Sequence, residues 1–168
     1  MAVLQILTYP DPRLRRPCLP VGAVDAAVRQ LAADMLETMY AAPGRGLAAP
    51  QVGVMLRLFV MDPDWRTGPP APRICIDPEI LDPSDATATC EEGCLSIPGV
   101  PAPVTRPAEV TLCWTGLDGI RRSERLAGIA ATCAQHELDH LDGRLCIDLM
   151  DRAARAAAAP VLAALEAR

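Results

Sequence analysis

The stretch "CAQHELDHLDG", residues 133–143, decides how this chain is read. Within it His136-Glu137-Leu138-Asp139-His140 has the form H-E-x-x-H, a helix-borne metal motif of many zinc peptidases. Histidines four residues apart on a helix project from one face toward a single ion. Glu137 sits beside them, where it reaches a water on that ion without being a ligand. His136 and His140 are the only two histidines of the chain, and both fall in the motif. Apolar periodicity over residues 128–141, with Gly143 as a stop, predicts the helix that carries them.

Two histidines do not fill a metal site, and the residues alone leave three candidates for the third ligand. Cys146 stands near the spacing at which the metzincin peptidases carry a third histidine. It would require the chain to turn back just past Gly143, yet it lies in "RLCID", which reads as an apolar segment entering the core. Glu166 matches peptidases that use a downstream glutamate, but it sits near the C-terminus, where helices fray. Cys94, in "EEGCLSIPG", lies far upstream.

Outward from the motif, Asp25 is a plausible N-cap for a helix over residues 24–42. Val28, Leu31, Met35 and Met39 share one face, and Pro43-Gly44 ends it. "GRGLAAPQVG", residues 44–53, reads as a glycine-rich loop. "MLRLFVMD", 55–62, and "RICIDPEI", 73–80, read as strands. Residues 108–116 and 120–128 read as the arms of a hairpin turning at Leu117-Asp118-Gly119. The prolines of residues 1–23 predict an extended arm. The alanine-rich tail from Asp151 reads as a helix interrupted by Pro160. The expected fold class is α+β, with short, mostly antiparallel strands packed around a central metal-bearing helix in one domain over residues 1–168.

Composition excludes several functions. The chain has 168 residues, 51% of them hydrophobic, and no uncharged apolar run of spanning length. A net charge of −5 gives no reason to expect specific nucleic-acid binding. All sixteen basic residues are arginine, so Schiff-base lysine chemistry is excluded. The seven cysteines are odd in number, and no signal-type cleavage site precedes them. They read as reduced thiols of a cytoplasmic protein with no membrane association.

Three segments in order, "GRGLAAPQ" (44–51), "EEGCLS" (91–96) and "QHELDHLDG" (135–143), resemble the three signature motifs of the peptide deformylases. "TYPDPRLR" (8–15) is similar to the N-terminal arm of that family, so the resemblance spans essentially the whole chain. It implies that Cys94, His136 and His140 hold one divalent metal ion with a fourth position left open. Fe(II) is the family's common metal, and Zn, Ni or Co can occupy the site. The implied activity is hydrolysis of the formyl group from the N-terminal formylmethionine of nascent polypeptides, with transient ribosome contact. The resemblance assigns proton transfer to Glu137, and oxyanion donors to the Gln51 side-chain amide and the Leu95 backbone N–H. It lays the peptide along Arg45 and Gly46, paired through main-chain hydrogen bonds. It lines the methionine pocket with Glu92, Gly93, Ile129, Cys133 and His136, with Cys90 and Thr132 nearby.

Two positions depart from the family pattern. Arg45 stands where an aliphatic residue is usual, and Pro101 stands where many members carry arginine. The substrate-facing charge is therefore expected to have moved across the cleft to Arg45. Two other functions compete with deformylation. One is a true metallopeptidase, with Cys146 or Glu166 as ligand. The other is a catalytically silent deformylase-like protein with a structural metal, for which Pro101 is the only support.

Overall fold

The sandwiching of one short strand between two helices organises this molecule. The computed structural model describes residues 2–167. Strand β2 (Leu58–Met61) is buried on both faces. Phe59 and Met61 join the core under α2 (Gly128–Leu141), while Leu58 and Val60 join the core under α1 (Ala26–Ala41). The period-2 alternation of a strand sends successive side chains to opposite helices, so "LFVM" needs no polar residue. Asp25 caps α1 by accepting the Val28 N–H at 2.9 Å.

The sheet around β2 is antiparallel throughout. Its order is β1 (Gly46–Ala48), β2, β3 (Arg73–Leu81), β6 (Glu109–Thr115) and β7 (Arg121–Ala127). β6 and β7 form the expected hairpin around Asp118-Gly119. Helix α2 follows β7 directly, beginning and ending at the residues the sequence indicated. A separate two-stranded sheet pairs β4 (Thr87–Cys94) with β5 (Ile97–Pro107). Ile97, Val100, Ala102 and Val104 of β5 pack against α3 (Arg152–Glu166), which buries Ala158, Leu162 and Leu165.

Two expectations need correction, and one hairpin was unread. Residues 44–53 are not all loop, because Gly46–Ala48 forms the edge strand β1. The β4–β5 hairpin was not anticipated, since Pro98, Pro101, Pro103 and Pro107 demote the segment as a strand. Its inward positions nonetheless alternate, and a two-stranded ribbon leaves each strand with a free edge where proline's missing N–H costs no ladder bond. The tail helix is also not broken at Pro160; α3 runs through it. Pro160 is exposed, so the carbonyl it frees faces water, while the opposite face stays packed.

Gly143 ends α2 with φ +74, and a Cβ there would lie 2.6 Å from the Arg15 carbonyl oxygen. That contact seats the N-terminal arm, and Cys18 N–H donates to the Leu141 carbonyl beside it at 2.8 Å. Gly143→Ala is expected to lower unfolding stability by about 1–3 kcal/mol, combining left-handed strain with the clash. Urea denaturation of the two proteins measures it, and an unchanged midpoint would show that the arm yields without cost.

Candidate metal centre

Helix α2 contributes both histidines from one face, with ring centroids 5.0 Å apart at an interplanar angle of 73°. The third group comes from the other sheet. Cys94 is the last residue of β4, and its Sγ lies 3.3 Å from His140 Nε2. Cys94, His136 and His140 are buried, and one ligand atom from each lies within 4.8 Å of the others. Neither Cys146 nor Glu166 belongs to this trio. Glu166 accepts a 2.5 Å hydrogen bond from the Tyr9 hydroxyl. Cys146 starts the short 3-10 turn Cys146–Asp148 and is buried in the core cluster that also holds Cys94.

The turn between β4 and β5 is only Leu95-Ser96. It therefore delivers three groups together: the Cys94 thiol, the Leu95 backbone and the Ser96 hydroxyl. Gln51, in the 3-10 turn Ala49–Val52, reaches into this corner. Its Oε1 accepts the Ala48 N–H at 2.8 Å, which fixes the amide orientation. Its Nε2 then donates to Ser96 Oγ at 3.1 Å and points toward Cys94 Sγ at 3.7 Å.

A buried charge network holds His136. Its Nδ1 is hydrogen-bonded to Glu92 Oε2 at 2.8 Å, which leaves Nε2 free. Arg106 donates to Glu92 through Nε at 2.6 Å and through Nη2 at 3.1 Å. Its Nη1 reaches Asp139 Oδ2 at 2.8 Å, so one guanidinium ties β4, β5 and α2 together. Glu92 and Arg106 are only 5% and 7% exposed. Against the penalty of burial, the bonds to His136 and Arg106 hold the Glu92 carboxyl below its usual range. Burial disfavours protonation of His136, yet Glu92 outweighs it and raises this imidazole to about 9. His140 goes the other way: burial and the positive charges of His136 and Arg106 keep it neutral, with one ring-nitrogen lone pair available.

Glu137 is buried at the cleft, 4% exposed, and burial pushes its carboxyl up to about 7. Its Oε2 is buried without a hydrogen-bond partner. Its Oε1 rests against Gly46, where a Cβ would come within 2.3 Å. Only glycine at 46 leaves room for this carboxylate. A cleft of about 590 Å³ opens onto these groups. Arg45, Gly46, Glu92, Gly93, Ile129 and Cys133 line it, as do Cys90, Thr132, Gln51 and Leu95.

The charge expected on Arg45 is placed differently. Its guanidinium donates to the Pro63 carbonyl and is thereby tied to the loop after β2. The exposed cation lining the cleft is Arg66, stacked 5.5 Å from the Trp65 ring centroid. Trp65 is anchored in turn by its Nε1 donating to the Gly44 carbonyl at 2.8 Å. Sequence reading missed Arg66, Ser96, Asp139 and Arg106. For Arg106 a signal existed: it continues the inward alternation of Val100, Ala102 and Val104.

The polypeptide deformylase family model matches residues 3–156 of this chain. The chain belongs to the peptide deformylase family. A peptide deformylase of Rhizorhabdus wittichii is 50% identical over 160 residues, covering 92% of this chain and 90% of the relative. The crystal structure of a peptide deformylase from Legionella pneumophila superposes with a TM-score of 0.90 at 38% identity, covering 98% and 96% of the two chains. A Plasmodium falciparum peptide deformylase gives 0.91 at 35% identity, covering 96% and 94%. The mixed helix and antiparallel-strand architecture is thus that of the deformylases. Their metal dependence meets a fitting donor set here: a soft thiol, the neutral imidazole of His140, the His136 imidazole whose Nε2 has no hydrogen-bond partner from Glu92, and an orphaned carboxylate oxygen beside them. Among the described residues no helix is long and apolar enough to cross a membrane.

Proposed function

We propose that this chain is a metal-dependent amide hydrolase that removes the N-formyl group from N-terminal formylmethionine of nascent polypeptides and releases formate. One observation carries the reading: Cys94 and His136 line the cleft together with an orphaned Glu137 carboxylate and a fixed Gln51 amide, and His140 completes the ligand trio just behind them. Cys94 Sγ and the Nε2 atoms of both histidines would hold one divalent cation. Fe(II) in the cell suits this thiolate-imidazole set, and Zn, Ni or Co fit it too. Bound there, the cation supplies Lewis-acid polarisation of the formyl carbonyl and acidifies water.

The remaining steps belong to the chain's own residues. Glu137 takes a proton from the attacking water and later passes it to the leaving amine, a sequence one carboxylate can serve. Burial, which favours its neutral form, opposes the cation's charge, which favours the ionised form. Gln51 Nε2 and the Leu95 N–H donate to the developing oxyanion without adding a competing charge. Glu92 holds His136 by Nδ1, so Nε2 is the atom that would bind the cation, and Arg106 holds Glu92. β1 is a sheet edge, so its free side near Arg45 and Gly46 offers main-chain pairing to a peptide of any sequence. The methionine side chain enters between Ile129, Cys133 and Gly93. Reaction occurs in the cytoplasm as chains emerge, with transient ribosome contact.

The test is formate release from formyl-Met-Ala-Ser by the metal-loaded protein. Bound metal with no formate would leave the silent, structural-metal reading. Cleavage between Met and Ala would restore the peptidase. Arg45→Ala separates the two rim arginines. With Arg45 held by Pro63, its removal is expected to lower kcat/KM only about 2–5-fold, through KM, the scale of an exposed polar contact. A change in kcat alone would show that Arg45 acts on the chemistry.

A further inference from the structure

Arg66 and Glu91 face the cleft from opposite rims, and the proposed reaction gives neither a role. Both are exposed. Arginines elsewhere on the surface are answered by carboxylates, as Arg57 is by Asp142 and Arg73 by Glu124. Among the described residues Arg66 has no such partner. Arg45 also lines the cleft, but its guanidinium is turned to the Pro63 carbonyl. Arg66 is thus the arginine of this cleft whose guanidinium is free to meet a substrate.

Arg66 is held in place despite its exposure. It stands in a turn where the Thr67 and Gly68 N–H groups donate to the Asp64 carbonyl at 2.9 and 3.0 Å. Arg45 pins that turn at Pro63, and Trp65 pins it through Nε1 on the Gly44 carbonyl at 2.8 Å. Asp62 fixes its base by accepting the Tyr40 hydroxyl at 2.6 Å and the Ala71 N–H at 3.0 Å. The Tyr40 ring meets Trp65 edge-on, with centroids 5.3 Å apart, and Arg66 lies over the Trp65 ring. A cation held this way has less freedom left to lose on binding.

The β1 edge sets its place along the substrate. Gly46 packs against Glu137, so that end of the edge lies at the reacting bond. Gly44, which carries Trp65, lies two residues back toward the mouth. A strand advances about 3.3 Å per residue, so a peptide leaving Glu137 along this edge comes under Trp65 and Arg66 after about two residues.

We propose that Arg66 is a specificity-determining residue that favours substrates with aspartate or glutamate at the first or second position after the formylmethionine. This inference rests on the deformylase reading. Main-chain pairing along β1 accepts any sequence, so Arg66 adds a preference and not a requirement. Glu91 opposes a carboxylate from β4 across the cleft. It weakens the preference without cancelling it, because Arg45 adds a second positive charge to the Arg66 rim.

The experiment measures formate release by the zinc-loaded full-length protein from C-terminally amidated formyl-Met tripeptides. Amidation removes the terminal carboxylate, which would otherwise imitate the side chain. Asp is compared with Asn, and Glu with Gln, at each of the two positions after Met. In the parent protein the acid is expected to exceed its amide in kcat/KM by about 2–5-fold at one or both positions, through KM, the scale of an exposed ion pair. The ratio should fall toward one in about 0.5 M salt, where such pairs are screened. Arg66→Gln should erase it, Arg66→Glu should invert it in favour of Lys peptides, and Glu91→Gln should widen it. Equal rates for acid and amide in the parent overturn the proposal, as does a ratio that survives Arg66→Gln. A uniform loss on all peptides in Arg66→Gln also overturns it, since Arg66 would then only support Trp65. Formate release without acid preference refutes Arg66 alone and leaves the deformylase standing. No formate from any peptide sinks the deformylase reading. Dissociation constants of Met-Asp-amide and Met-Asn-amide, read by tryptophan fluorescence, then decide Arg66, and equal or absent binding overturns its role.

Discussion

Glu137→Gln is expected to abolish formate release, lowering kcat by about 10²–10⁴-fold or more, while the protein still binds its cation and folds normally. The amide is nearly isosteric with the carboxylate, so the close approach of this side chain to Gly46 is preserved. What disappears is the proton carrier between water and leaving amine. The same substitution should stabilise the metal-free fold. Glu137 is buried with one oxygen unpaired, and its carboxyl is raised to about 7 from an ordinary 4.5. The sign follows from that direction. A carboxyl whose folded value lies above its unfolded value is neutral in both states below about pH 4.5. As pH rises through 4.5 to 7, the unfolded chain ionises first and the folded state is penalised, by roughly 2–4 kcal/mol once pH exceeds both values. Metal-free wild type should therefore lose stability between about pH 4.5 and 7 relative to the glutamine variant. Cation binding should shrink the difference, because positive charge favours the carboxylate. Thermal unfolding of both proteins at pH 5 and 8, with and without zinc, measures it. A variant that deformylates at the wild-type rate would remove Glu137 from the mechanism.

The legible part of this molecule is the part carried by periodic, local signals. α2 reads from apolar spacing and a glycine stop, β2 from an unbroken apolar run, and β6–β7 from Asp118-Gly119 between alternating arms. Their register needs no long-range information. The β4–β5 ribbon escaped because its stabilising contacts lie outside itself. Val100, Ala102 and Val104 are inward only in the presence of α3, and prolines at intervening positions resemble a loop until that partner is known. The candidate site divides the same way. His136, Glu137 and His140 sit on one helix and announce their geometry by spacing. Cys94 and Gln51 come from a different sheet and a different turn, so only the three ordered motifs linked them to the helix. Glu92 was legible as a cleft residue but not as the acceptor for His136, and Arg66 not at all, since each depends on how two distant loops are seated.

Arg106 is where the least legible residue carries the largest structural consequence. Arg106→Leu is expected to cost about 3–5 kcal/mol of stability, the range for removing one partner of a buried ion pair. The guanidinium answers two carboxylates, Glu92 and Asp139, with three hydrogen bonds between 2.6 and 3.1 Å. Leucine fills much of the space but leaves buried Glu92 with His136 alone and Asp139 with only the 3.4 Å contact to the exposed Arg144. Without Arg106 the buried Glu92 carboxyl takes up a proton more readily, so the loss should be greatest at high pH and shrink as pH falls into the carboxyl range. The effect also reaches the cation. A protonated or displaced Glu92 no longer fixes His136 by its Nδ1, and loss of such a partner typically weakens metal affinity 10–100-fold. Adding Glu92→Gln and Asp139→Asn should recover much of the stability, since the uncompensated charges are gone, but not the affinity, since His136 still lacks an anionic acceptor. Chelator competition for zinc and urea denaturation read the two quantities separately. Recovery of both together would mean that Arg106 serves only to neutralise charge. Recovery of stability alone would mean that the triad's contribution to the site is the orientation of one imidazole, paid for by burying three charges.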